Sequence, residues 1–175
     1  MADLAGVRSR MERLQAGRLA LLDAVAGVGE DHLRRPRDDG GWSILQVLEH
    51  LALAEQHTLA YIHKKMQDPS KLPPAGALSF WRMAIVVVAL RSPYKAKAPE
   101  RTAHPEADMT LAAVREHWDG VRQDWQELVD GFPPALVDRA VFRHPRTGLM
   151  SLAHTLAFMQ AHLDHHRRQI DRRIA

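Results

Sequence analysis

The sequence predicts an all-α protein, a four-helix bundle. Three observations predict it. Four long segments carry apolar residues at spacings of three and four. Glycine- and proline-rich breaks separate those segments. No run alternates apolar and polar residues as a half-buried strand would. At 175 residues the chain suits a single domain, taken as 1–175, and is long enough to bury a core without disulfides.

The first helix is expected over Leu4 to Val28, where Leu4, Val7, Met11, Leu14, Leu21, Leu22 and Val25 form a stripe. Gly40 and Gly41 break the chain beyond it, and Ser43 is a natural N-cap for a second helix over Ile44 to Met66. Asp68-Pro69 closes it, because a residue before proline avoids helical geometry. A proline-rich connection then runs from about Pro69 to Asp108, with a short apolar helix expected over Ser79 to Leu90. Antiparallel neighbours rarely need so long a link, whereas a crossover along the length of a bundle does. The third helix is expected over Thr110 to Val129, on Leu111, Val114, Trp118, Val121, Trp125 and Leu128, with both tryptophans in the core. Gly131 and Pro133-Pro134 stop it. After a short segment and a turn at 144–148, Ser151 caps a last helix that extends to Ile174.

Composition narrows the function. The chain has no cysteine, which excludes disulfides, thiolate nucleophiles and cysteine-type zinc sites. The formal net charge of +3 is only mildly basic, and Arg167, Arg168, Arg172 and Arg173 at the end of the last helix complement its negative pole. Nothing in this charge pattern offers an element to read a nucleic-acid groove, so a nucleic-acid partner ranks last. The longest apolar stretch, Met83 to Leu90, is far short of the ~20 residues that span a bilayer. The amphipathic N-terminus lacks the apolar centre of a signal peptide, and the expectation is a soluble, cytoplasmic protein with no membrane partner.

The chain carries 11 histidines, and the question is which of them face the core together. At about 100° per residue, the large apolar residues of the last helix fall on an arc roughly 60° to 120° from His162, with His166 at about 40°. Both therefore sit on the core side one turn apart, and two imidazoles at i and i+4 can share one ion. Two buried, hydrogen-bonded histidines are the equally weighted alternative. His154 and His165 fall on the outer side. On the second helix His50 lies at the edge of the arc of Val47, Leu51 and Ala54, where a boundary histidine is the commoner outcome. Glu49 and Asp164 are expected to be solvated, because sequence neighbours on a helix diverge by about 100°. His57 and Tyr61, on the His50 side, and Gln169, on the His162 side, are the candidates to orient a ligand or serve beside it.

Two stretches carry a resemblance. GGWSILQVLEHLALAEQH (40–57) has a Trp-Ser start and a histidine seven residues after the serine. HPRTGLMSLAHTLAFMQAHLDHHRRQI (144–170) has a His-Pro-x-x-Gly turn followed by an H-x-x-x-H helix. Together they resemble the second and fourth helices of the DinB/YfiT-like superfamily of metal-binding bundles. The resemblance implies an up-down-down-up bundle, with the long crossover between its second and third helices. It implies that His50, His162 and His166 are ligands to one divalent ion, zinc or nickel, and that the chain forms a homodimer. It also implies a small-molecule substrate: some members transfer or isomerise with low-molecular-weight thiols, and others are described as hydrolases. There is one departure. Thiol-dependent members often read His-His-Arg-Gly-Gln near the end of this helix, and here Arg168 replaces the small residue.

Three neutral imidazoles leave an ion with an open position, the pattern of catalytic zinc. Such an ion yields a nucleophile at neutral pH from water or from a thiol. A metal-dependent hydrolase or transferase with no protein nucleophile is the leading expectation, and a non-catalytic metal-binding or stress-response module on the same scaffold is the alternative.

Overall fold

The computed structural model describes residues 3–75, 109–145 and 148–175. The expected helix over Ser79 to Leu90, and Trp81 within it, lie outside the described residues. Among those described are four long helices. Helix α1 spans Leu4–Ala26, α3 Ile44–Met66, α4 Leu111–Asp130 and α5 Leu152–Ile174, and a short α2 spans Glu30–Arg34.

Each long helix starts where a side chain can satisfy its free N–H groups. Asp3 accepts from Gly6, Thr110 from Ala113 and Ser151 from His154. Ser43 and Gln46 form a reciprocal capping box at α3. The first helix ends at Ala26, two residues short of the expectation, with Gly27 as its C-cap. The turn before α3 needs Gly40, whose φ of +75° is left-handed.

Side-chain pairs across the bundle fix the helix directions. Arg8 meets Asp130 and Arg18 meets Asp119, so α1 and α4 run antiparallel. Glu49 meets His117 and Glu55 meets Arg122, so α3 and α4 run parallel. Gly17 faces Gln160 and Leu163, and His32, just beyond α1, reaches the Arg173 carbonyl, so α1 and α5 run parallel. The α3 and α5 helices oppose, with His50 on His162 and Trp42 on Arg173. The order is up-down-down-up, which two parallel neighbours joined by a long crossover require. A Cβ at Gly17 would come within 3.0 Å of Leu163, so this glycine lets α1 and α5 approach closely.

Valine, leucine, isoleucine and methionine from all four helices close one hydrophobic cluster, in which Trp118 and Trp125 are fully buried. A polar group sits inside it. Glu55 accepts from Trp118 Nε1 at 2.9 Å and from Arg122 Nη2 at 2.7 Å, and its backbone carbonyl accepts from Trp125 Nε1 at 3.3 Å. Both indole donors and the guanidinium belong to α4, so this one residue of α3 sets the register of the parallel pair. Burial pushes the Glu55 carboxyl upward, and Arg122 opposes that push.

Two small elements depart from the sequence reading. Helix α2 is too short to show a period, although Leu33 is fully buried. The expectation of no strand is corrected by a two-stranded antiparallel sheet, β1 Phe142–His144 with β2 Gly148–Met150. Strands of three residues are too short to display alternation. Gly148, with φ of +79°, opens β2. Beside them Ala75 donates to Asp138 and Ala140 to Pro73, which ties the chain after α3 to the segment leading into β1. No helix among the described residues is long and apolar enough to cross a membrane.

Candidate metal centre

The antiparallel contact of α3 and α5 brings three imidazoles together. His50 comes from the second turn of α3, and His162 and His166 come from successive turns of α5. His162 Nε2 lies 3.3 Å from His50 Nε2 and 3.1 Å from His166 Nε2. The ring centroids are 4.7 to 5.2 Å apart, with each pair of planes steeply inclined. One nitrogen from each ring can be chosen so that all three lie within 4.8 Å of one another. His50 and His166 are buried, and His162 keeps part of its surface open.

The surroundings fix these rings. Trp42 leans on His50 with centroids 4.9 Å apart. Phe158, one turn before His162, stacks parallel to it at 6.0 Å, and His144 from β1 packs on Phe158 at 4.5 Å. Arg173 donates to the carbonyls of Trp42 and Arg35, which ties the end of α5 to the segment that carries Trp42.

Gln169 Oε1 lies 2.9 Å from His166 Nδ1, and Gln169 Nε2 lies 2.8 Å from His165 Nε2. An amide oxygen can only accept, so the proton of His166 is on Nδ1 and its Nε2 turns a lone pair toward the other rings. A neutral His162 carries at most one proton on Nε2 and can donate to one neighbour, not to two. The meeting of three Nε2 atoms is short of donors, and a cation accepting three lone pairs resolves it. The donor set therefore fits a metal ion, which is the chemistry that nitrogen ligands of this kind support.

Burial first, and then the neighbouring histidines, hold His162 well below the usual imidazole range. The same causes lower His166 to about 3, against a small opposing effect of Gln169. Both rings are neutral at pH 7, the state a ligand needs. A buried ring that resists protonation ties stability to pH. The unfolded chain binds the proton more readily, so stability is complete above the unfolded value of about 6.5 and falls as pH drops toward the folded value. For His166 alone the metal-free protein is expected to lose about 1.4 kcal/mol per pH unit below 6.5, with His162 adding in the same direction. Urea unfolding of metal-free protein at pH 7 and pH 5 measures this, and a flat profile would contradict it.

Other residues named from the sequence fall in varied places. His57 is exposed, two turns beyond His50 and about 10 Å further along α3. Tyr61 is half-buried, with its ring against Phe142 at 5.3 Å and the Lys65 ammonium over it. A shared helix face does not bring either to the triad, because the helix axis carries them past it. Glu49 corrects an expectation: it is 4% exposed and pairs with His117 of α4 at 3.2 Å, not with solvent. Asp164 is half-buried and accepts from Gln160. Sequence reasoning placed His144 at the start of a turn, where it ends β1, left Phe158 without a place and assigned His165 to the outer side. His165 is half-buried, with its ring 5.1 Å from His166.

The family model of the DinB superfamily matches residues 13–170. The chain belongs to the DinB superfamily. A relative within reach of this DinB chain is a Bacillus mycoides (strain KBAB4) protein named "Putative metal-dependent hydrolase". It is 24% identical over 147 residues, which cover 83% of this chain and 72% of the relative. Among solved structures, YfiT from Bacillus subtilis is described as "a probable metal-dependent hydrolase with an unusual four-helix bundle topology". It superposes with a TM-score of 0.57 at 23% identity, covering 95% of this chain and 85% of YfiT, a likeness that shows the fold.

Proposed function

We propose that His50, His162 and His166 hold one divalent ion, zinc or nickel, and that this DinB protein is a metal-dependent enzyme acting on a small molecule by hydrolysis or by group transfer to a thiol. The observation that carries this reading is the convergence of three Nε2 atoms, with the rings of His162 and His166 kept neutral by burial. The names given to the Bacillus mycoides relative and to YfiT agree with it. An ion on three neutral imidazoles retains its full charge and an open position, and so supplies the acidity that makes a nucleophile of water or a thiol at neutral pH.

The chain's own residues support that chemistry. Gln169 fixes the tautomer of His166. Trp42 covers His50, and Phe158 covers one face of His162, so both rings are held in place. Replacing Gln169 with leucine removes the acceptor of the Nδ1 proton and is expected to weaken metal affinity by about 10- to 100-fold, the cost of losing a partner that orients a ligand. A competition titration against a chromophoric chelator measures it, and unchanged affinity would show that Gln169 orients nothing.

The test of the enzyme reading is a panel of esters, amides and thiol acceptors assayed with metal-loaded, chelated and reconstituted protein. Turnover should vanish on chelation, return with zinc or nickel, and be absent in His166→Ala. Turnover indifferent to chelation would overturn the proposal.

A further inference from the structure

A groove of about 310 Å³ lies between the end of α3, the 3₁₀ turn after it and the β1–β2 hairpin. Its floor is apolar. Leu72 and Val141 are buried beneath it, Tyr61 and Phe142 meet edge to face along it, and Leu149 is 37% exposed at its rim. Its charges are mostly positive. Lys64, Lys65, Lys71 and Arg143 line it against a single carboxylate, Asp68. Asp68 is committed to Lys71 at 2.7 Å and to Ser70. Three further cations face an apolar trough, and Asp68 is the one carboxylate among the described groove residues.

A file of ring contacts links the groove to the histidine triad. Tyr61 touches Phe142, Phe142 lies 6.5 Å from His144, His144 packs on Phe158, and Phe158 stacks on His162. Strand β1 thus starts at the groove and ends beside the triad. Along α3, Tyr61 is about 16 Å of helical rise from His50.

From these observations we infer that the groove binds the anionic end of the substrate, a small molecule with an apolar body and a terminal carboxylate or phosphate, extended enough to reach the triad with its other end. This rests on the proposed metal-site reading and adds the substrate class to it. The cations select the anion, since Lys64 and Arg143 gain an ionic partner when one is bound and Lys65, over the Tyr61 ring, gains a carboxylate or phosphate in addition. The Tyr61–Phe142 floor takes the apolar body, as ligand sites of this kind combine an apolar lining with a few charged groups. Carboxylate and phosphate share the chemistry recognised here, and comparing the two termini on one body tells them apart.

The test is calorimetric titration with phenyloctanoate, phenyloctyl phosphate and the neutral phenyloctanamide. At least one anion should bind at least tenfold more tightly than the amide. The double variant Lys64→Glu, Arg143→Glu should lose that preference while keeping its helix content and its metal. Equal binding of the amide, or an undiminished preference in the double variant, would overturn the inference. Metal content measured on the same samples separates the two readings. A chain that takes up no ion yet prefers the anion refutes only the metal site, and one that takes up an ion but shows no preference refutes only the groove.

Discussion

Replacing Glu55 with alanine is expected to destabilise the protein by about 3–5 kcal/mol, the cost of removing one partner of a buried ion pair. The loss comes from the groups left without a partner. Arg122 is 4% exposed and would keep its charge in the core without the carboxylate that holds it at 2.7 Å. Trp118 Nε1 would lose its acceptor in a fully buried position. Arg18 cannot compensate, because it carries the same charge and is already bonded to Asp119. Glu55→Gln retains an acceptor for Trp118 and should cost less. The double variant Glu55→Met, Arg122→Leu should recover most of the loss, since a buried pair replaced by apolar residues is often neutral or better. Urea unfolding followed by circular dichroism gives the comparison. A loss under about 1 kcal/mol for Glu55→Ala would mean that the arginine finds water or another partner.

His166→Ala is expected to weaken metal binding by more than about 100-fold, beyond the cost of losing only an outer partner, while the bundle persists. Alanine favours the helix more than histidine does, and among the described residues His162 and His166 are the two of α5 whose ring nitrogens converge with His50. The metal-free variant should be more resistant to acid than the metal-free parent. The parent loses stability below pH 6.5 because burial holds His166 down to about 3. Removing that ring removes its share of the loss. Equal acid sensitivity in parent and variant would show that His166 is not the buried neutral group described here.

The helices were legible because their signals are local. Ser43, Thr110 and Ser151 cap where the first apolar-periodic residue comes next, and Trp118 and Trp125 recur at a helical spacing that puts both inside. The facing of His162 and His166 follows from one helix's period, so it too could be read from α5 alone. Features that depend on a distant partner could not. Glu49 is a carboxylate beside a ring at the helix edge until His117, on another helix, covers it. Glu55 belongs to the same case, since its three donors all lie on α4. His57 and Tyr61 show the converse limit, because a helical wheel gives direction and discards the distance along the axis. The hairpin and α2 are shorter than the periods by which such elements are recognised.

The most direct measurement is elemental analysis of protein prepared without a polyhistidine tag, with X-ray absorption on the metal found. The predicted result is about one zinc or nickel per chain with three imidazole nitrogens around it. Folded protein that takes up neither ion after incubation with both, or an ion bound without imidazole, would contradict the three-histidine site.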